Sequence, residues 1–115
     1  MSDDELRRVM GVLMGWHLYG PASFQQWYDD KDQLVRSYDG WNPLTDANDA
    51  LRVVEAMEKK GWLCSIDTNN KEATLWRVIA PLSGWETRFA SFESVLQLPR
   101  AICEAAAKAE GVWHE

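Results

Sequence analysis

Residues 45–61 limit the possible folds more than any other part of the sequence. Apolar side chains recur there at helical spacing, at Ala47, Ala50, Leu51, Val54 and Met57. Thr45 or Asp46 can cap the start of this helix, and Gly61 is a typical residue just past its end. Because an amphipathic helix is stable mainly when its apolar face is covered, the segment predicts a chain with a packed core.

Two more helices and five strands are predicted around this segment. Ser2 and Glu5 form a capping box for a helix over residues 3–15, and Pro99 fits the first turn of a last helix that ends at Gly111. Strand-like segments occupy residues 24–28, 33–38, 62–67, 73–80 and 85–92. The predicted order is α-β-β-α-β-β-β-α. We therefore expect one domain over residues 1–115, an α+β fold with a single antiparallel or mixed β-sheet packed with helices.

The predicted core combines the apolar stripe of the middle helix with residues of the later strands and the last helix. Its members are Leu51, Val54, Met57, Trp62, Cys64, Trp76, Ile102 and Ala106. Cys64 and Cys103 are interpreted as free buried thiols of a reducing compartment, with a disulfide between them as the alternative. Gly11 and Gly15 have a spacing that lets a neighbouring element approach the first helix closely.

Charge is distributed unevenly along the chain. Acidic residues number 18 against 12 Lys and Arg, a net charge of −6, which disfavours non-specific binding to nucleic acid. Residues 1–58 contain eleven acidic and five basic side chains, whereas residues 59–115 contain seven of each. Any acidic face should therefore be built from the first half of the chain.

No arrangement of residues predicts catalysis, a cofactor, a metal site or a membrane anchor. The glycine-rich phosphate motifs, the zinc-protease motif and the nucleophile elbow are absent, and no secretory leader or membrane span is predicted. His17 has no nucleophile or carboxylate at a recognisable spacing, and Asp29, Asp30 and Asp32 lack the spacing of a calcium loop. We expect a protein that is not an enzyme, with His17 as a general base kept as a minor alternative.

Several stretches of the sequence resemble a known family. They read MGW at residues 14–16, WYD at residues 27–29, WNPLTD at residues 41–46, ALRVVEAM at residues 50–57, KGW at residues 60–62 and LPRAICEAA at residues 98–106. This set resembles the phage ABA sandwich domain family, small proteins of phages and prophages. The resemblance implies an α/β/α arrangement with one sheet between helices, a phage gene product that acts in the host bacterial cytoplasm, and no catalytic residues. Residues 83–98 have no close match to the family pattern.

The leading functional hypothesis is a partner-binding site with acidic residues around apolar anchors. Its predicted residues are Asp29, Asp30, Asp32, Asp39, Asp46, Asp49, Trp27 and Trp41. Complementary charge favours a host protein whose basic surface normally holds nucleic acid, which such a phage protein would block as an anti-CRISPR does. Trp41 also has a structural interpretation, as an anchor packed against the helix that follows it.

Two other functions stay open from the sequence. A module that sequesters a small signalling nucleotide needs basic side chains around a pocket, for which Arg77, Arg88 and Arg100 are the candidates outside the acidic half. A housekeeping virion or regulatory accessory protein needs no ligand. We expect no direct binding to nucleic acid or membrane, and the sequence leaves a homodimer open.

Overall fold

Three helices and six strands make up the part of the chain that the computed structural model describes, namely residues 1–21, 23–67, 69–70, 72–77, 85–91 and 95–113. The helices are α1 (Asp3–Leu13), α2 (Ala47–Lys59) and α3 (Leu98–Ala109), and a short 3-10 helix at Val95–Gln97 precedes α3. The strands are β1 (His17–Tyr19), β2 (Gln26–Tyr28), β3 (Leu34–Ser37), β4 (Trp62–Asp67), β5 (Glu72–Arg77) and β6 (Trp85–Ser91). The predicted α+β class is confirmed, and the order differs only by β1, a strand of three residues that is too short to show an alternating pattern.

The helix boundaries follow the capping residues. The side chain of Ser2 accepts a hydrogen bond from the amide of Glu5, at 3.1 Å, so the predicted capping box begins α1. Of the two cap candidates for α2, Asp46 takes the role, because its carboxylate accepts the amides of Asn48 and Asp49. Gly61 follows α2 at φ +92°, a conformation that favours glycine, and this ends the helix where the sequence predicts.

The strands form two three-stranded sheets, where the sequence predicts one. The first sheet has the order β1-β2-β3 and the second has the order β4-β5-β6, and every strand pairs antiparallel with its neighbour in the chain. Each sheet is built from local hairpin connections, and α2 separates β3 from β4 along the chain. The two groups of strands therefore form separate sheets and do not join into one.

Helix α3 lies at the centre of the fold. It contacts α1 and α2 as well as β5 and β6. Most of its buried side chains are small, and the buried residues are Pro99, Ala101, Ile102, Cys103, Ala105, Ala106 and Ala107. Because alanine projects only a methyl group, neighbouring helices and strands can approach α3 closely. Cys103 donates a hydrogen bond from Sγ to the carbonyl oxygen of Pro43 at 3.4 Å, and both cysteines are free thiols, as predicted.

The buried face of α2 differs from the predicted one. Ala50, Val53 and Met57 are buried, whereas Leu51 is 53% exposed and Val54 is half-buried. The prediction that Leu51 belongs to the core is wrong. The buried residues follow the i, i+3, i+7 spacing of one helix face, and Leu51 lies about 100° around the helix from Ala50.

The remaining core predictions are largely confirmed. Met57, Trp62, Ile102 and Ala106 are buried, and Cys64 is half-buried against them. The side chain of Trp76 lies outside the described residues. Gly11 has the predicted role of a close approach, because a methyl group at this position would overlap the ring of Trp27.

Candidate functional site on the first sheet

The two faces of the first sheet carry different residues. In the register of β1 and β2, Leu18 is opposite Trp27, and these two side chains pack into the helical core. His17 is opposite Tyr28 and Tyr19 is opposite Gln26, so these residues lie on the other face. That outer face is exposed, with the side chain of Tyr19 at 71% exposure.

Two rings on the outer face contact the ring of Tyr28, and we call His17, Tyr19 and Tyr28 the aromatic row. The ring of His17 stacks on Tyr28 with centroids 6.1 Å apart, and Tyr19 meets Tyr28 edge-on at the same separation. Leu34, the β3 partner of Tyr28, is 58% exposed and extends the apolar surface on this face. The row therefore presents aromatic area to solvent from strands that are held in a sheet.

An acidic turn adjoins the aromatic row at the end of the β2–β3 hairpin. We call residues 29–32 the acidic hairpin, which contains Asp29, Asp30 and Asp32. One carboxylate oxygen of Asp29 accepts hydrogen bonds from the backbone amides of Lys31 and Gln33, each at 2.9 Å. These two hydrogen bonds stabilise the turn.

Asp32 joins the acidic hairpin to the row. The backbone of Asp32 adopts φ +58°, and its carboxylate lies 3.3 Å from Nε2 of His17. The side chain of Asp32 remains 87% exposed. Asp29, Asp30 and Asp32 are thus brought together as predicted. Asp32 lies next to His17, which the sequence analysis considered only as a general base, and the sequence did not single out Tyr19 and Tyr28.

The other predicted acids have different surroundings. Asp49 is 4% exposed and forms an ion pair with Arg36 at 2.6 Å, and it also accepts the amide of Asn42. Its assignment to a partner-binding surface is therefore wrong. Asp46 is exposed but serves as the cap of α2, and Asp39 lines a cavity of about 340 Å³ together with Arg8 and Tyr38.

The predicted anchors Trp27 and Trp41 are core residues, with 1% and 0% exposure, so their assignment as surface anchors is a second error. Trp16 packs against both, edge-on to Trp41 at 4.8 Å and tilted to Trp27 at 6.3 Å. The indole N–H of Trp41 donates to the carbonyl oxygen of Arg7 at 3.3 Å. The structural interpretation of Trp41 as a packed anchor is the one that holds.

Acids near the start of α1 are also engaged within the chain. Asp4 forms ion pairs with Arg7 and Arg8, and the hydroxyl of Tyr38 donates a hydrogen bond to it. That hydrogen bond is the main cause of the lowered pKa of Asp4, to which Arg8 and Arg7 add. Several acids of the first half are therefore engaged within the chain, and the acidic hairpin lies next to the exposed rings of the first sheet.

Arg100 is the one arginine of the nucleotide hypothesis whose side chain the structure describes. Arg100 pairs with Asp3 at 3.0 Å and with Glu104 at 3.3 Å, which ties α3 to the start of α1. Arg77 belongs to β5 and Arg88 to β6, and their side chains lie outside the described residues. Within the described part of the chain, no three His, Cys, Asp or Glu side chains are placed to hold a metal ion.

Comparison with known proteins identifies the family. The family model of the phage ABA sandwich domain matches residues 7–107, so the chain belongs to this family and is a phage protein. Searches of curated proteins and of solved structures give no significant match. No helix in the described ranges is both long and apolar enough to cross a membrane.

Proposed function

We propose that this phage protein is a non-enzymatic binding protein that inhibits a host immune protein, in the manner of an anti-CRISPR. The aromatic row and the acidic hairpin form its binding surface. The partner is a host protein whose basic surface normally holds nucleic acid. Inhibition takes place in the host bacterial cytoplasm.

The observation that carries the proposal is the junction of exposed rings and unburied carboxylates in one sheet. Tyrosine is enriched at the energetic centres of protein interfaces, and its ring loses little conformational freedom on binding. Tyr19 and Tyr28 are already held by strand pairing and by contact with each other. A surface that is ordered before binding loses less entropy in the complex.

Charge supports a basic partner in particular. The acidic hairpin places three carboxylates and one lysine in four residues, and the side chain of Asp32 is 87% exposed. Like charge on a partner would oppose docking, whereas a basic groove would be drawn to it. A basic groove in a host immune protein is commonly where nucleic acid binds, so occupation of the groove would block that activity.

The test is capture of a partner from lysate of the host bacterium, followed by binding kinetics with the purified partner. We expect Asp30→Lys to lower the association rate and to reduce its dependence on salt, because complementary charge mainly accelerates encounter. Tyr19→Ala should instead raise the dissociation rate, because buried aromatic contacts mainly prolong the complex.

Matched variants on α2 control for charge and for exposed apolar area. Glu58→Lys makes the same charge reversal on an exposed acid, and Leu51→Ala truncates a residue that is 53% exposed. Both should bind as the unchanged protein does. If the α2 variants weaken binding as much as Asp30→Lys and Tyr19→Ala, the first sheet is not the binding surface.

A further inference from the structure

A basic groove lies beside the end of α1 and along α2. Its volume is about 490 Å³. Arg52, Lys59 and Lys60 line it, and Glu55 is the acidic residue in the lining. Three basic side chains against one acidic side chain contrast with the net charge of −6 of the whole chain.

Two residues of this groove, Arg52 and Lys59, differ from several basic residues elsewhere in the described ranges. Arg36 is paired with Asp49, Arg100 with Asp3 and Lys108 with Glu104. Arg52 and Lys59 are exposed, and both line the groove. A positive potential inside a concave surface is stronger than on a flat one, because the low-dielectric walls concentrate the field.

The helix dipole accounts for only part of this cluster. Lys59 lies in the last turn of α2 and Lys60 is the residue that follows the helix, where a positive charge offsets the negative end of the dipole. Arg52 lies about two turns earlier, in the middle of the helix, where the dipole effect is lost. Its position beside the lysines points to an anion that all three contact.

One aromatic ring completes the groove. Trp16 is half-buried, and its ring meets Trp41 edge-on at 4.8 Å, which holds it in place from the core side. Part of Trp16 lines the groove together with Met14. A fixed indole surface is a platform on which a planar base can stack, whichever base it is.

We propose that this groove binds a mononucleotide. The phosphates contact Arg52, Lys59 and Lys60, and the base stacks on the part of Trp16 that faces the groove. A small ligand fits better than a nucleic-acid strand for two reasons. The groove volume falls in the range of small-molecule sites, about 300–1,000 Å³, and the net charge of the protein opposes a long polyanion.

The test is isothermal titration calorimetry with ADP, and with adenosine and inorganic pyrophosphate as its separate parts. We expect ADP to bind, and to bind more tightly than either part. The double variant Arg52→Gln/Lys59→Gln should weaken ADP binding by about tenfold or more, because each substitution removes a charge-assisted contact with phosphate. Lys31→Gln, in the acidic hairpin, is the matched control and should leave the affinity unchanged.

Two further variants separate the parts of the proposal. Trp16→Leu should reduce the preference for ADP over pyrophosphate, with circular dichroism as the check that the fold is kept. Asp30→Lys, which weakens partner docking in the preceding proposal, should leave ADP binding unaltered. The two proposals can therefore fail separately.

The proposal is overturned by any of three results. One is the absence of ADP binding at millimolar concentration. Another is equal affinity for ADP and pyrophosphate, which would leave the base without a site. The third is an equal loss of affinity in Lys31→Gln and in the double variant, which would indicate a non-specific response to charge.

Discussion

Trp27 and Tyr28 are consecutive residues of β2, yet they face opposite environments. The ring of Trp27 is enclosed by α1 and by Trp16, with 1% exposure. Tyr28 faces outward and contacts the rings of His17 and Tyr19. The inner face of the first sheet therefore serves stability, while the outer face presents aromatic area that the fold does not cover. A strand of three residues is enough to place a core residue and a surface residue side by side, since successive side chains point to opposite faces of the sheet.

The largest expected effect is on the inner face. Trp27→Ala should lower the free energy of unfolding by about 3–5 kcal/mol, because it removes a large buried ring and leaves a cavity. Tyr19→Ala, on the outer face, should change it by no more than about 0.5 kcal/mol. Denaturant unfolding followed by circular dichroism measures both. Comparable losses in the two variants would show that the outer rings also hold the sheet together.

The same contrast between a buried and an exposed side chain applies to α2. Met57→Ala should cost about 2–5 kcal/mol of unfolding free energy, because Met57 is 1% exposed in the core. Leu51→Ala should stay within about 0.5 kcal/mol, since this side chain is 53% exposed. A thermal melt distinguishes the two. A large loss for Leu51→Ala would mean that the face predicted from the sequence is buried after all.

A smaller effect is expected where α1 meets Trp27. Gly11→Ala should destabilise the protein by about 1–3 kcal/mol, because the added methyl group would overlap the indole ring. Replacement of the ring as well, in Gly11→Ala/Trp27→Leu, should cost less than the sum of the two single changes. Urea unfolding of all three variants measures this coupling. Strict additivity would indicate that the two residues do not press against each other.

The smallest effect concerns the two thiols in the native protein. Burial raises the pKa of Cys64 to about 11 and raises that of Cys103 further. Alkylation of Cys64 should therefore be slow at neutral pH and accelerate as the pH rises towards about 11, because the thiolate is the reactive form. Cys103 should react only when the chain unfolds. Mass spectrometry of the alkylated protein, with Cys103→Ala to isolate Cys64, measures both rates; rapid labelling of Cys103 under native conditions would contradict its burial.

The raised pKa also sets the sign of a stability change with pH. The fold favours the neutral thiol, so the contribution of Cys64 is complete below the ordinary thiol pKa. It declines as the pH rises from there towards about 11.

The sequence predicts what depends on neighbours in the chain. The caps at Ser2 and Asp46, the end of α2 at Gly61 and the acidic turn all arise from local hydrogen bonding or local backbone preference, and each is found as predicted. The α+β class follows from the same local patterns.

The sequence does not predict which side of an element meets the core. Leu51 and Val53 are both apolar, and the packing of α2 on α3, β4 and α1 decides that Val53 is buried while Leu51 is exposed. Trp27 and Trp41 are large aromatic residues flanked by acids, a pattern that an interface and a core share. The ion pair of Arg36 with Asp49 joins residues from different elements, and the outer aromatic row requires β1, which is too short to recognise.

The central position of α3 has a consequence for biosynthesis. α1 and α2 both pack on a helix that begins only at Leu98, and Arg100 reaches back to Asp3 near the start of the chain. The hairpins of the first sheet can pair while the chain is still being made, because their contacts are local. The parts of α1 and α2 that pack on α3 stay uncovered until α3 leaves the ribosome. Until then the nascent protein exposes apolar surface that the finished fold buries, and such surface favours aggregation.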